Sequence, residues 1–131
     1  MKGKYTVVLV LAAVPVVLAL RWVRHEARAA QTQDSVQMVA RSVNRLYLAN
    51  PSPSAEDLNR CIFELQRGGV TSVTVGPDGR PADPYRTPFR IRHEVKGKQS
   101  ITTVISAGAD REFDTQDDVR YVEASDLPAK P

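Results

Sequence analysis

The chain has 131 residues, 42% of them hydrophobic, and a formal charge of +3. That length fits one small domain and excludes a multi-domain enzyme, and a single apolar run excludes a polytopic membrane protein. One cysteine, Cys61, excludes an internal disulfide framework and a cysteine-rich zinc site, and so small a charge does not by itself point to nucleic acid.

The amino terminus carries Lys2 and Lys4, then an uncharged run from Tyr5 to Leu20, then Arg21, Trp22, Val23 and Arg24. Those 16 residues span about 24 Å as a helix, short of a bilayer core of about 30 Å. Trp22 and Val23 extend the run, and Arg21 can snorkel outward. Residues 1–23 therefore read as a single-pass signal anchor. The competing reading is a cleaved signal peptide, with Ala27-Arg28-Ala29 as the cleavage site. Arg21, Arg24, His25 and Glu26 make that cleavage region unusually charged, which favours the anchor. Basic residues flank the run on both sides, so charge alone does not orient it.

Residues 24–50 read as the soluble continuation of this helix. From Gln33 to Asn50, Val36, Val39, Val43 and Leu46 repeat at a spacing of three to four, and Met38 and Tyr47 widen the stripe. Arg41, Asn44 and Arg45 fall elsewhere on the wheel. Asn50-Pro51-Ser52-Pro53 ends the helix. A second helix starts at Ser54, which has capping-box spacing to Asp57. Its apolar face is Leu58, Cys61, Ile62 and Leu65, and Gly68-Gly69 stops it. Cys61 is most simply a small core residue, with a reactive or intermolecular thiol as the alternative.

Beyond Gly69 the periodicity changes to that of strands. Val70 to Val75 is rich in β-branched residues, and Gly76-Pro77-Asp78-Gly79 has turn composition. Phe89 to Val95 alternates apolar and polar residues, Gly97-Lys98 makes a hairpin turn, and Ile101 to Ile105 and Val119 to Val122 are further strands. Residues 51–124 thus form an α+β domain, and 125–131 a flexible tail. The predicted architecture is a long amino-terminal helix, membrane-embedded at its start, packed on a small antiparallel sheet.

Two stretches stand out. Between the last two strands, Ser106 to Asp118 holds five carboxylates: Asp110, Glu112, Asp114, Asp117 and Asp118. Such a loop is either a solvated acidic turn or a site for a hard cation such as calcium, which takes six to eight oxygen ligands. Spacing alone leaves both open, because this is not the EF-hand pattern. Asp83-Pro84-Tyr85-Arg86-Thr87-Pro88-Phe89 carries two prolines that fix the backbone, and reads as a rigid lead-in to the next strand. No catalytic constellation can be named. His25 and His93 are the only histidines, His93 reads as a surface or edge residue, and no nucleophile–base pair or phosphate-binding glycine loop occurs. The arginines are dispersed, without the basic and aromatic clustering of a nucleic-acid face.

Taken in order, the two stretches resemble the major, G-type pseudopilin of type II secretion systems. That family has an Asp-Pro-aromatic-Gly-x-Pro-aromatic segment, then a strand running into Ser-x-Gly-x-Asp-Gly and an Asp-rich calcium loop. Here Asp83 to Phe89 matches the first segment, and Ser106 to Asp110 with Asp117-Asp118-Val119 matches the second. The resemblance extends to Tyr47 and Asn50 on the long helix. It implies a pilin-like fold and a structural, non-enzymatic role in protein secretion. It further implies an inner-membrane anchor, a periplasmic carboxyl-terminal domain, and contacts with other pseudopilins, secretion-apparatus subunits or copies of itself. It implies calcium, with Asp110, Asp117 and Asp118 as side-chain ligands and the carbonyls of Ala107 and Glu112 as backbone ligands. The alternative is an anchored or secreted binding module that captures a peptide or protein along a sheet edge. The chain departs from the family pattern at four positions. Lys4 and Leu9 replace the glycine and glutamate of the peptidase motif, and Arg86 and Arg111 each replace a motif glycine.

Overall fold

The computed structural model describes residues 3–129, with side chains from Pro15 onward. The side chains at the positions expected to carry the leader motif, and most of those of the predicted anchor, lie outside the described residues. So does the end of the tail. The chain divides into two compact units, Met1–Ala30 and Gln31–Pro131.

Helix α1 runs Gly3–Ala49, with Pro15 inside it. From Pro15 to Ala30 every side chain is exposed, including Val16, Leu18, Leu20, Trp22 and Val23. Among the described residues, no helix is long and apolar enough to cross a membrane.

The second unit is α+β. The carboxyl-terminal part of α1 supplies Val36, Val39, Ala40 and Val43 to the core. Helix α2, Ala55–Arg67, adds Ile62. Its start is the capping box expected from Ser54: the Ser54 hydroxyl accepts from Asp57 N–H, and the Asp57 carboxylate accepts from Ser54 N–H, each at 3.1 Å. At its end Gly69 takes a φ of +96°, and Val70 N–H turns back to the Leu65 carbonyl at 3.0 Å.

That last bond explains a correction. The Val70–Val75 run is not one strand. The Val70 amide serves the helix end, and only β1, Thr74–Val75, pairs, with β2, Pro81–Ala82. Val73 is buried all the same, as a loop residue. The main sheet is antiparallel, in the order β3-β4-β5, with β3 Arg90–Lys96, β4 Gln99–Ser106 and β5 Val119–Asp126. β5 is longer than the sequence suggests. Ser125 and Asp126, expected in the tail, pair with Ser100 and Gln99.

Strand alternation gives the sheet two faces. Ile91, Val104 and Tyr121 lie on the inner face and join the core cluster with Val36, Val39 and Val43 of α1. Two expectations about the helix stripe are corrected here. Met38 is 37% exposed and does not widen it, whereas Asn44 is buried to 1%. The buried stripe steps through Val36, Val39–Ala40 and Val43–Asn44, which places Asn44 beside β4 and β5. It is tolerated there because both its polar ends are used. Its Oδ1 accepts from the Ser100 and Thr102 hydroxyls, and its Nδ2 donates to Ser125, all at 2.9 Å.

Candidate functional site

The two stretches picked out in the sequence meet in space. Asp83 is fully buried, and its carboxylate holds both of them. Oδ1 accepts from the backbone N–H of Tyr85 at 2.9 Å and of Thr87 at 3.0 Å. Oδ2 accepts from the Ser106 hydroxyl. The backbone of Asp83 closes the same turn, with its N–H on the Thr87 carbonyl and its carbonyl accepting from Arg86. The 83–89 segment is therefore a rigid lead-in to β3, pinned to the end of β4.

Ser106 passes the connection on, because its Oγ also accepts from Gly108 N–H at 3.2 Å. Gly108 has a φ of +71°, and a Cβ there would sit 2.1 Å from the Asp117 carbonyl oxygen. Only glycine allows the two ends of the acidic loop to approach so closely. Ser106, Ala107 and Gly108 are all buried.

The rest of the loop winds around its own backbone. Asp110 Oδ1 accepts from Glu112 N–H at 2.9 Å. The Thr115 hydroxyl, more than this amide, holds the Asp110 carboxyl below its ordinary range. The single Thr115 hydroxyl hydrogen is shared with the Glu112 carbonyl, 3.1 Å away. Asp118 Oδ2 accepts from Asp114 N–H at 2.8 Å, while Asp118 Oδ1 is buried with no hydrogen-bond partner. Asp114 reaches Arg90 at 3.2 Å, and that guanidinium lies 4.1 Å from the centre of the Phe113 ring.

Of the five candidate ligands, Ala107 is buried, Asp118 is half-buried, and Asp110, Glu112 and Asp117 are exposed. The structure brings the 108 and 117 backbones together, and it bonds Asp110 to the Glu112 amide and Asp118 to the Asp114 amide. Among the described residues, no three acidic, histidine or cysteine side chains converge on one point. The chemistry of the donor set still suits a hard cation, because the loop offers carboxylate and carbonyl oxygens and one buried oxygen has no donor.

Sequence reasoning passed over several residues here. The rigid-segment reading does not single out Asp83, although an Asp before Pro, with amides two and four positions on, is a strong turn-forming signal. Arg86 and Arg111 adopt φ of 67° and 60°, so the positions where arginine replaces a motif glycine are left-handed. His93 lies on the edge strand β3, as expected, and is half-buried there. Its ring stacks on Tyr47 at 3.7 Å, and its Nε2 lies 2.8 Å from Ser100 Oγ. Cys61 is half-buried beside the Ser42 hydroxyl, 3.0 Å away.

Comparison with known protein families, curated proteins and solved structures finds no match for this chain.

Proposed function

We propose that the chain is a structural, non-enzymatic, pseudopilin-like protein that belongs to, or assists, a type II secretion apparatus. In this reading residues 1–23 anchor it in the bacterial inner membrane, with the α+β domain in the periplasm. Its partners are other pseudopilins, secretion-apparatus subunits or further copies of the chain. The observation that carries the reading is the Asp83–Ser106–Gly108 junction. The two stretches that carry the family resemblance are 17 residues apart in sequence, from Phe89 to Ser106, yet act as one mechanical unit. The long α1 helix, whose carboxyl-terminal part packs against an antiparallel sheet, also supports it.

Calcium belongs to the proposal. Asp110, Asp117 and Asp118 would supply side-chain oxygens, and Ala107 and Glu112 backbone carbonyls. The ion would offset the carboxylate charge that crowds this loop. Asp118 Oδ1, buried and without a donor, supports this assignment. The chain's own residues do the rest: Gly108 brings the loop ends together, and Asp83 fixes that end of β4.

Thermal melting of the full chain with calcium and with a chelator tests the metal. At a hundredfold excess over the dissociation constant, a ligand bound only by the folded state adds about 2.7 kcal/mol, which is several degrees for a domain of this size. Asp117→Ala should abolish that difference. Identical melting of the parent chain in both conditions refutes the calcium site. Site-specific crosslinking from the exposed side of α1, at Arg45, tests the role. Ladders or adducts with secretion subunits support it, and their absence in secreting cells counts against it. A second reading, an anchored or secreted binding module that captures a peptide at a sheet edge, draws on the strand order, which leaves β3 and β5 as edges. One soluble partner in the same experiment favours that reading.

A further inference from the structure

The outer face of the sheet carries a feature that neither the calcium loop nor the membrane reading uses. Arg92 and Glu94 of β3 point away from the core, as do Thr103 of β4 and Arg120 and Val122 of β5. Their register fixes the arrangement: Arg92 pairs with Thr103, which pairs with Val122, and Arg120 pairs with Ile105, the next outward residue along β4. Arg92, Arg120 and the Thr103 hydroxyl therefore surround one patch of β4. With strands about 4.8 Å apart, the two arginine backbones lie on the order of 12 Å from each other. That separation lets two long side chains converge on one group above Thr103. A groove of about 550 Å³ lies there, lined by Arg92, His93, Glu94, Thr103 and Arg120.

Both arginines are exposed and, among the described residues, have no ion-pair or hydrogen-bond partner. Their neighbour Arg90 does not share this freedom, being held by Asp114 and lying over Phe113. Glu94 on the groove wall is paired with Lys96 at 3.3 Å. The groove thus has two free planar donors, one hydroxyl and one carboxylate acceptor. It is bordered by the exposed side chain of Val122 and by Ala124.

We propose that this groove binds an acidic peptide segment of a partner protein. Arg92 and Arg120 take its carboxylate, Thr103 and Glu94 meet its backbone, and Val122 receives an adjacent apolar side chain. Arginine suits a carboxylate because its planar fork donates two parallel hydrogen bonds. The acceptor on the wall decides the class of ligand. Glu94 can take a peptide N–H, so a chain that brings amides along with its carboxylate fits the wall as well as the arginines. The inference rests on charge complementarity and sheet register, not on the secretion reading, and survives if that reading fails.

The test is fluorescence anisotropy with the full chain in detergent, in chelator, using a labelled peptide of alternating Glu and Val. A Gln and Val peptide of the same length is the control. The acidic peptide should bind at least tenfold more tightly than the control. Arg92→Gln combined with Arg120→Gln should remove that preference, while Arg45→Gln on α1 leaves it intact. Melting of the double variant within a degree or two of the parent shows that the fold is unharmed. Equal binding of the two peptides, or a preference that persists in the double variant, overturns the proposal. So does arginine-dependent binding of phosphatidylglycerol vesicles without peptide binding, or arginine-dependent self-association that the peptide does not compete away.

Discussion

Asp83 and the aspartates of the 108–118 loop meet the chain at the same end of β4 and behave in opposite ways. Asp83 is buried, and both its oxygens are committed to donors on two different segments. The loop carboxylates are mostly exposed, and where they bond, they bond to amides and hydroxyls of the loop itself or to Arg90. A carboxylate taken out of water must be fully hydrogen-bonded, so it ends up as a structural joint. One left in water near others keeps oxygens to spare, and those are the atoms a cation could take. Residue type alone does not separate the two roles; the number of fixed donors does.

Asp83→Ala should have the largest effect. It leaves the buried Tyr85 amide, the part-buried Thr87 amide and the Ser106 hydroxyl without their acceptor. At about 1–3 kcal/mol for each unpaired group, the loss is on the order of 3 kcal/mol or more. A urea melt of the full chain checks this, and Asp117→Ala in chelator is the matched control, with an effect near zero. If both substitutions cost the same, the distinction between joint and loop collapses.

Asn44→Leu probes the other fully used polar group. The Ser100 and Thr102 hydroxyls would lose their acceptor and Ser125 its donor, for a cost of about 2 kcal/mol. The same urea melt reads it. A neutral result would mean that water or a rearranged serine replaces Asn44, and that its satisfied bonds do not fix how α1 meets the sheet.

These two residues also mark where sequence reading stops. Val36, Val39 and Val43 were legible because apolar residues at helical spacing have one inexpensive place to go. The Ser54 capping box and the Gly97 hairpin were legible because each needs only local chemistry. Asn44 reads as lying off the buried face because its partners are 56 to 81 residues away. No local pattern announces a polar side chain whose bonds are all long-range. The strand over Val70–Val75 failed for a related reason: the preceding helix end claimed the Val70 amide. Composition places Ser125 in the tail, but its pairing with β4 is a tertiary choice. The segments of the candidate site were found from the sequence, whereas the Asp83 bond that joins them was not.

Arg86 and Arg111 sharpen the comparison from the backbone side, since one sits in the joint and the other in the loop. Both hold a left-handed φ, which costs a non-glycine residue about 1–2 kcal/mol. Glycine removes that strain but brings more freedom to the unfolded chain, about 0.5–1 kcal/mol. Arg111→Gly should therefore raise stability by up to about 1 kcal/mol. Arg86→Gly should gain less, because the Arg86 guanidinium also donates to the Val75 carbonyl. A destabilised Arg111→Gly would mean that the loop depends on the arginine side chain.

The smallest expected effect lies next to Asn44. The single hydroxyl hydrogen of Ser100 goes to Asn44, so Ser100 must accept from His93, which fixes the neutral ring as the Nε2–H tautomer. Burial pushes the His93 pKa below its ordinary 6.5, while neighbouring Glu94 partly opposes this. The unfolded chain then binds the proton more readily than the folded one. Stability is full above pH 6.5 and declines as the pH falls from there through the lower folded-state pKa. His93→Gln should flatten this part of the profile. Melting temperatures across pH 5 to 7 for the two chains would reveal the difference, measured in chelator so that protonation of the acidic loop does not alter metal binding. Equal slopes would mean that the ring accepts its second proton as readily in place as in water, and that the Asn44 network does not select its neutral form.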